Sequence, residues 1–139
     1  MKNKDKIDPV RGSLLISGGR VGVLLIHSLG GNPIELRFVA QGLARSGYTV
    51  YCPLLPGLGG GTDVSGLSSW HNWYEAAEAA HDQLKQHCDV ILVGGLSAGS
   101  MLALRLARER PSDVHGLMLF APTIFPNGWA IPRWLHLLK

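Results

Sequence analysis

Val21-Gly22-Val23-Leu24-Leu25-Ile26 carries no polar side chain, and Arg20 and His27 close it on either side. An apolar run without alternation predicts a strand covered on both faces, as strands of a parallel sheet are. Residues 48–52, 90–94 and 114–120 predict three further strands, and residues 14–17 a short partner strand ahead of the first. Between these runs the spacing becomes helical. Asn32 stands before Pro33 and three residues before Glu35, so a cap, a proline at the first helical position and a capping-box partner coincide. Leu36, Val39, Ala40, Leu43 and Ala44 then fall on one helical face, and Gly47 supplies a left-handed stop. A second helix is expected from about Ser69, with Trp73, Ala77, Ala80 and Leu84 at helical spacing, ending before Cys88; its aromatics belong to the core. Residues 101–107 predict a third. Pro53 cuts off the strand before it, and residues 56–63 have the composition of a loop. Strand and helix alternate throughout, which predicts an α/β fold: a mostly parallel sheet with right-handed crossovers and helices on both faces.

Composition narrows the partners. With 139 residues, 46% of them hydrophobic and 17% charged, the chain can bury one core and is expected to fold as a single domain. The formal charge of +3 comes partly from Lys2, Lys4 and Lys6, and no basic stripe interleaved with aromatics tracks a phosphate backbone, so nucleic acid is not an expected partner. Cys52 and Cys88 lack metal-site spacing and lie in or beside apolar runs, as suits buried thiols in a reducing compartment. Leu14-Leu15-Ile16 is too short for a signal-peptide core, and no run approaches the roughly 18 apolar residues of a membrane span. A cytoplasmic protein without stable membrane insertion is the expectation.

The candidate chemistry centres on Ser97, in Gly95-Leu96-Ser97-Ala98-Gly99. A predicted strand precedes it and a predicted helix follows, which is the setting of a nucleophile elbow: a serine on a strained strand-to-helix turn, with glycine wherever a side chain would collide. Acyl transfer needs backbone N–H groups where negative charge develops on the carbonyl oxygen. Residues 27–33, His-Ser-Leu-Gly-Gly-Asn-Pro, leave a buried strand at its carboxyl end and enter a helix, so they are placed to offer one donor; the N–H of Ala98 offers the second. The rival class, a nucleotide site, lacks both a Walker lysine after Gly94 and a Gly-x-Gly-x-x-Gly after the first buried strand.

Taken together, residues 27–33, the Pro-Gly-x-Gly of residues 56–59 and the Gly-x-Ser-x-Gly of residues 95–99 make the chain resemble the α/β-hydrolase family, in particular its bacterial carboxylesterase and monoglyceride-lipase-like branch. The resemblance spans about residues 21–122. It implies Ser97 as nucleophile and the N–H groups of Leu29 and Ala98 as oxyanion donors, with His27, Gly30, Gly95 and Gly99 supporting elbow and loop, a small-molecule ester as substrate, and no metal or organic cofactor. Ser28 stands where the family usually has glycine, and Leu58 where it usually has histidine. The family's acid and histidine follow the nucleophile on later strands, so the resemblance also implies an N-terminal fragment that is inactive alone: residues 1–122 as core, residues 123–139 as the start of an apolar cap with Trp129 and Trp134.

No local residue replaces the missing pair. Asp113 and His115 have the right order but belong to the end of the sheet opposite Ser97. His136 lies in the expected cap with no carboxylate after it. His71, His81 and Asp82 are expected at solvated or capping positions, and His27 as a hydrogen-bonding partner of its loop. The strand ending at Phe120 would present an open apolar edge, an invitation to self-association. A non-catalytic binding module of the same fold is the alternative.

Overall fold

The computed structural model describes residues 9–58 and 69–123. Five strands form one sheet: β1 (Leu14–Ile16), β2 (Val21–Ile26), β3 (Thr49–Cys52), β4 (Val90–Leu96) and β5 (Gly116–Phe120), in the spatial order β1-β3-β2-β4-β5. Only β1 runs antiparallel to its neighbour, pairing Leu15 with Tyr51. The continuous apolar runs mark the strands covered on both faces. Val23, Leu24, Leu25 and Ile26 are fully buried, and their side chains alternate between two cores.

Three α-helices cover the two faces: α1 (Arg37–Arg45), α2 (Trp70–Lys85) and α3 (Ala98–Glu109). Leu24 and Ile26 pack with Tyr74, Ala77 and Leu84 of α2 and Leu102, Ala103 and Leu106 of α3. Val23 and Leu25 pack on the other face with Leu36 and with Ala40 of α1. The helix expected after Asn32 opens as a 3-10 turn, Pro33–Leu36, which Asn32 caps, and continues as α1. Gly47 ends α1 at φ 91, as expected. Ser69 caps α2 through the N–H of Asn72.

The sheet has two functionally different ends. Strands β2, β3, β4 and β5 are parallel, so the loops after β2 and β4 emerge at one common end, beside the first turn of α3. Residues 113–115 precede β5 and lie at the other end, where Gly116 pairs with Leu92. Of the expected cap, residues 124–139, including Trp129, Trp134 and His136, lie outside the described residues, as does the loop from residue 59 onward.

Candidate active site

Ser97 joins β4 to α3 in one residue, with φ 54 and ψ −118. For a residue with a Cβ this is a strained backbone, and the surroundings hold it. Its N–H donates to the Phe120 carbonyl at 2.9 Å, and its carbonyl accepts from Ser100 N–H at 3.0 Å. Ser100 is buried; its hydroxyl donates to the Gly95 carbonyl at 2.6 Å and lies 3.0 Å from the Phe120 carbonyl. Glycine at both flanks is a spatial requirement. A methyl on Gly95 would overlap the Gly99 carbonyl, and one on Gly99 would overlap the carbonyls of Ile26 and His27. The corner can close only because α3 starts directly against the end of β2.

That contact brings the loop after β2 beside the start of α3. His27, Leu29, Ala98 and Gly99 line one cavity of about 810 Å³, which continues past Leu55, Trp70, Trp73, Met101 and Leu104 to Arg105, Arg108 and Glu109. Ala98 is the first residue of α3, a position whose N–H has no intrahelical acceptor. Leu29 N–H has no hydrogen-bond partner among the described residues, and its side chain is half exposed. Gly30, at φ 81, turns the chain after it. Leu29 and Ala98 thus line the same cavity, and Ala98 directly follows Ser97 in the chain. Ser97 is half-buried, and its hydroxyl lies 3.1 Å from the Thr123 hydroxyl.

His27 cannot serve Ser97 as base. It is fully buried, its Nε2 accepts the Leu55 N–H at 3.1 Å, and its Nδ1 lies 2.9 Å from the Ser28 carbonyl, to which it donates. Both ring nitrogens are occupied, which fixes the neutral Nδ1–H tautomer. Burial holds its pKa below the ordinary histidine value, opposed by the Ser28 carbonyl and Glu35. His27 thus ties the loop after β2 to the one after β3.

Asp113 and His115 lie at the far end, as expected: Asp113 pairs with Lys85 at 2.6 Å and His115 accepts the Ile91 N–H. One expectation is corrected. His81 is neither solvated nor a cap but fully buried, with Nε2 3.3 Å from the Asp113 carbonyl and Nδ1 3.3 Å from Arg110. It sits four residues after Ala77 and three before Leu84, on the buried stripe of α2, and that spacing was the available signal. His71 is exposed against Trp70, and Asp82 is exposed and pairs with Arg110. Ser100 and Thr123, both in contact with the Ser97 corner, had no local sequence signal.

With this geometry, comparison with known proteins is decisive about kinship. The profile of the alpha/beta hydrolase family matches residues 12–139. The chain belongs to that family. It is 40% identical over 125 residues to a thermostable monoacylglycerol lipase of Bacillus sp. strain H-257, an alignment covering 84% of this chain and 50% of the relative. A carboxylesterase of Bacillus subtilis strain 168 is 28% identical over 95 residues, covering 68% of this chain and 39% of the relative. Among solved structures, one of the metagenome-derived lipolytic enzymes LipS and LipT superposes with a TM-score of 0.79 at 33% identity, covering 88% of this chain and 51% of that one. The chain spans about half the length or less of the curated relatives it matches.

Among the described residues no group of three or more His, Cys, Asp or Glu side chains could hold a metal ion, and no helix is long and apolar enough to cross a membrane.

Proposed function

We propose that this α/β hydrolase is of the carboxylesterase and lipase type, acting on carboxylic esters through an acyl-enzyme on Ser97. The observation that carries the reading is the strained serine at the β4–α3 corner, directly before Ala98, which with Leu29 lines one cavity. In this reading the Ser97 oxygen attacks the ester carbonyl carbon, and its proton passes to a base. The carbonyl oxygen becomes an oxyanion held by the N–H groups of Leu29 and Ala98, each worth about 3 kcal/mol in comparable sites. The alcohol leaves with a proton, and water then releases the acid. The apolar cavity walls, Leu55, Trp73, Met101 and Leu102, would take an acyl or alkyl chain, with residues 123–139 as the start of a cap over them. The relatives' names, monoacylglycerol lipase and carboxylesterase, agree with that substrate class. Buried unpaired thiols at Cys52 and Cys88 fit a cytoplasmic site of action.

No imidazole contacts Ser97 among the described residues. We therefore expect the 139-residue chain to turn over a short-chain p-nitrophenyl ester negligibly. Serine hydrolases stripped of a triad member lose roughly 10⁴ to 10⁶ in kcat, yet keep about 10³ to 10⁴ over water from oxyanion stabilisation and binding. Slow stoichiometric labelling by a fluorophosphonate over hours is the corresponding expectation, and Ser97→Ala should abolish it. Absence of labelling above that of an exposed serine would overturn the catalytic reading. That result would favour a binding module of the same fold.

A further inference from the structure

Ser28 stands at the second position after β2, and its hydroxyl meets the exposed side chain of Glu35. The Ser28 Oγ lies 2.9 Å from Glu35 Oε1 and 2.8 Å from Oε2. The same carboxylate accepts the backbone N–H of Ser28 at 3.4 Å and that of Asn32 at 3.2 Å. Glu35 therefore reaches back across the whole Ser28-Leu29-Gly30-Gly31-Asn32 loop and holds both of its ends. Gly31 makes the space: a methyl there would overlap the Glu35 carboxylate and come within 2.8 Å of Ser28 Oγ. Ser28 is not among the residues with positive φ, so the backbone at this position tolerates a side chain, and the hydroxyl is an addition without conformational strain.

A helix cap explains only part of this. The capping box requires Asn32 and Glu35, whose contacts fix the start of the 3-10 turn before α1. It does not require Ser28. The hydroxyl adds a charge-assisted bond between the carboxylate and the residue directly before Leu29, a residue that lines the cavity and whose N–H has no partner among the described residues. From this we infer that Ser28 and Glu35 are positioning residues: their contact holds the peptide between Ser28 and Leu29 so that the Leu29 N–H stays aimed at the oxyanion position. The inference rests on the proposed role of Leu29 as an oxyanion donor.

Ser28→Ala separates the clasp from the cap, because it leaves the Glu35–Asn32 contact in place. Two measurements on the 139-residue chain decide the matter. Amide hydrogen exchange of Gly31, whose N–H donates to the Ser28 carbonyl at 3.2 Å, should quicken severalfold in Ser28→Ala, while α1 amides keep their protection; Ser28→Thr, which restores the hydroxyl, should restore the slower exchange. The rate of fluorophosphonate labelling at Ser97 should fall by a similar factor in Ser28→Ala and recover in Ser28→Thr, with the loss in the maximal rate and not in probe affinity. Unchanged loop exchange in Ser28→Ala overturns the clasp, whether or not Ser97 reacts. Altered exchange with an unchanged labelling rate overturns its positioning role. Failure of the unsubstituted chain to label at all refutes the esterase reading and with it any role in catalysis, leaving the exchange data to judge the clasp alone.

Discussion

A single methyl group separates a closed corner from an open one at Gly99. Alanine there would push into the carbonyls of Ile26 and His27, backbone atoms that cannot rotate away, so α3 would have to lift from β2. We expect Gly99→Ala to cost about 3 kcal/mol, read as a lowered urea midpoint. Gly42→Ala, in the middle of α1, is the control. Its added methyl would meet only the far end of Arg45, at 3.9 Å, and the substitution should stabilise by up to about 1 kcal/mol. His27 makes a different prediction, about pH. Burial keeps its folded-state pKa below the usual 6.5 or so, whereas the unfolded chain titrates normally. Between the two values the unfolded state binds the extra proton, so stability from a neutral His27 is complete above about pH 6.5 and declines as pH falls toward the depressed value. In His27→Gln that component of the decline should vanish from unfolding free energies measured across the window; an unchanged pH slope would contradict it. The thiols are a further consequence of burial at this scale: Cys52 is pushed up to about 12 and Cys88 is raised, which makes both poor nucleophiles in the folded chain.

Elements lock together through polar contacts that the hydrophobic pattern does not announce. Arg110, at the end of α3, pairs with Asp82 and, at 3.1 Å, with Glu78 on α2, and it donates to the buried Nδ1 of His81. Removing it leaves two carboxylates, Glu78 and Asp82, without their shared cation and takes one partner from the buried Nδ1 of His81, which keeps only Asp82 at 3.5 Å. Arg110→Ala should therefore cost about 1–2 kcal/mol in urea unfolding. Arg20–Asp89 is also bidentate, at 2.5 and 2.6 Å, yet both side chains are largely solvated, and Arg20→Ala should leave the midpoint essentially unmoved. The contrast explains what the sequence could disclose. Strands β2 and β4 were legible because consecutive apolar residues need cover on both faces, and Asn32, Ser69 and Gly47 because caps act over a few neighbouring residues. The Ser97 corner was legible because its glycines are adjacent in sequence. Ser100–Phe120, Ser97–Thr123 and Arg110–Glu78 join residues 20 to 32 positions apart, and no local pattern encodes such pairings. The Ser28–Glu35 clasp lay within reach, seven residues apart, but it depends on a loop path that only the fold defines.

At the scale of the whole molecule, the sheet is asymmetric at its edges. β1 closes one side as a short antiparallel strand, whereas β5 pairs with β4 alone among the described strands. Leu117 and Leu119 are each 37% exposed and lie on the same face, while Met118 and Phe120 turn to the other and pack against the α1-side core. An edge with free backbone donors and acceptors and leucines beside it can accept another strand in hydrogen-bonded register, and burying those leucines would add to the pairing. We propose that the 139-residue chain self-associates through this edge. Sedimentation velocity over a hundredfold range of concentration should reveal species larger than a monomer at the upper end. Leu117→Lys with Leu119→Lys should shift the distribution to monomer without loss of helical circular dichroism, because both side chains lie outside the two buried cores and charge opposes edge pairing. Substituting Ile34 and Phe38, which are more exposed but stand on the 3-10 turn and α1, should leave association unchanged. A chain that stays monomeric throughout would overturn self-association, and one whose association follows Phe38 rather than Leu117 and Leu119 would remove β5 as the contact and point to the α1 side of the sheet.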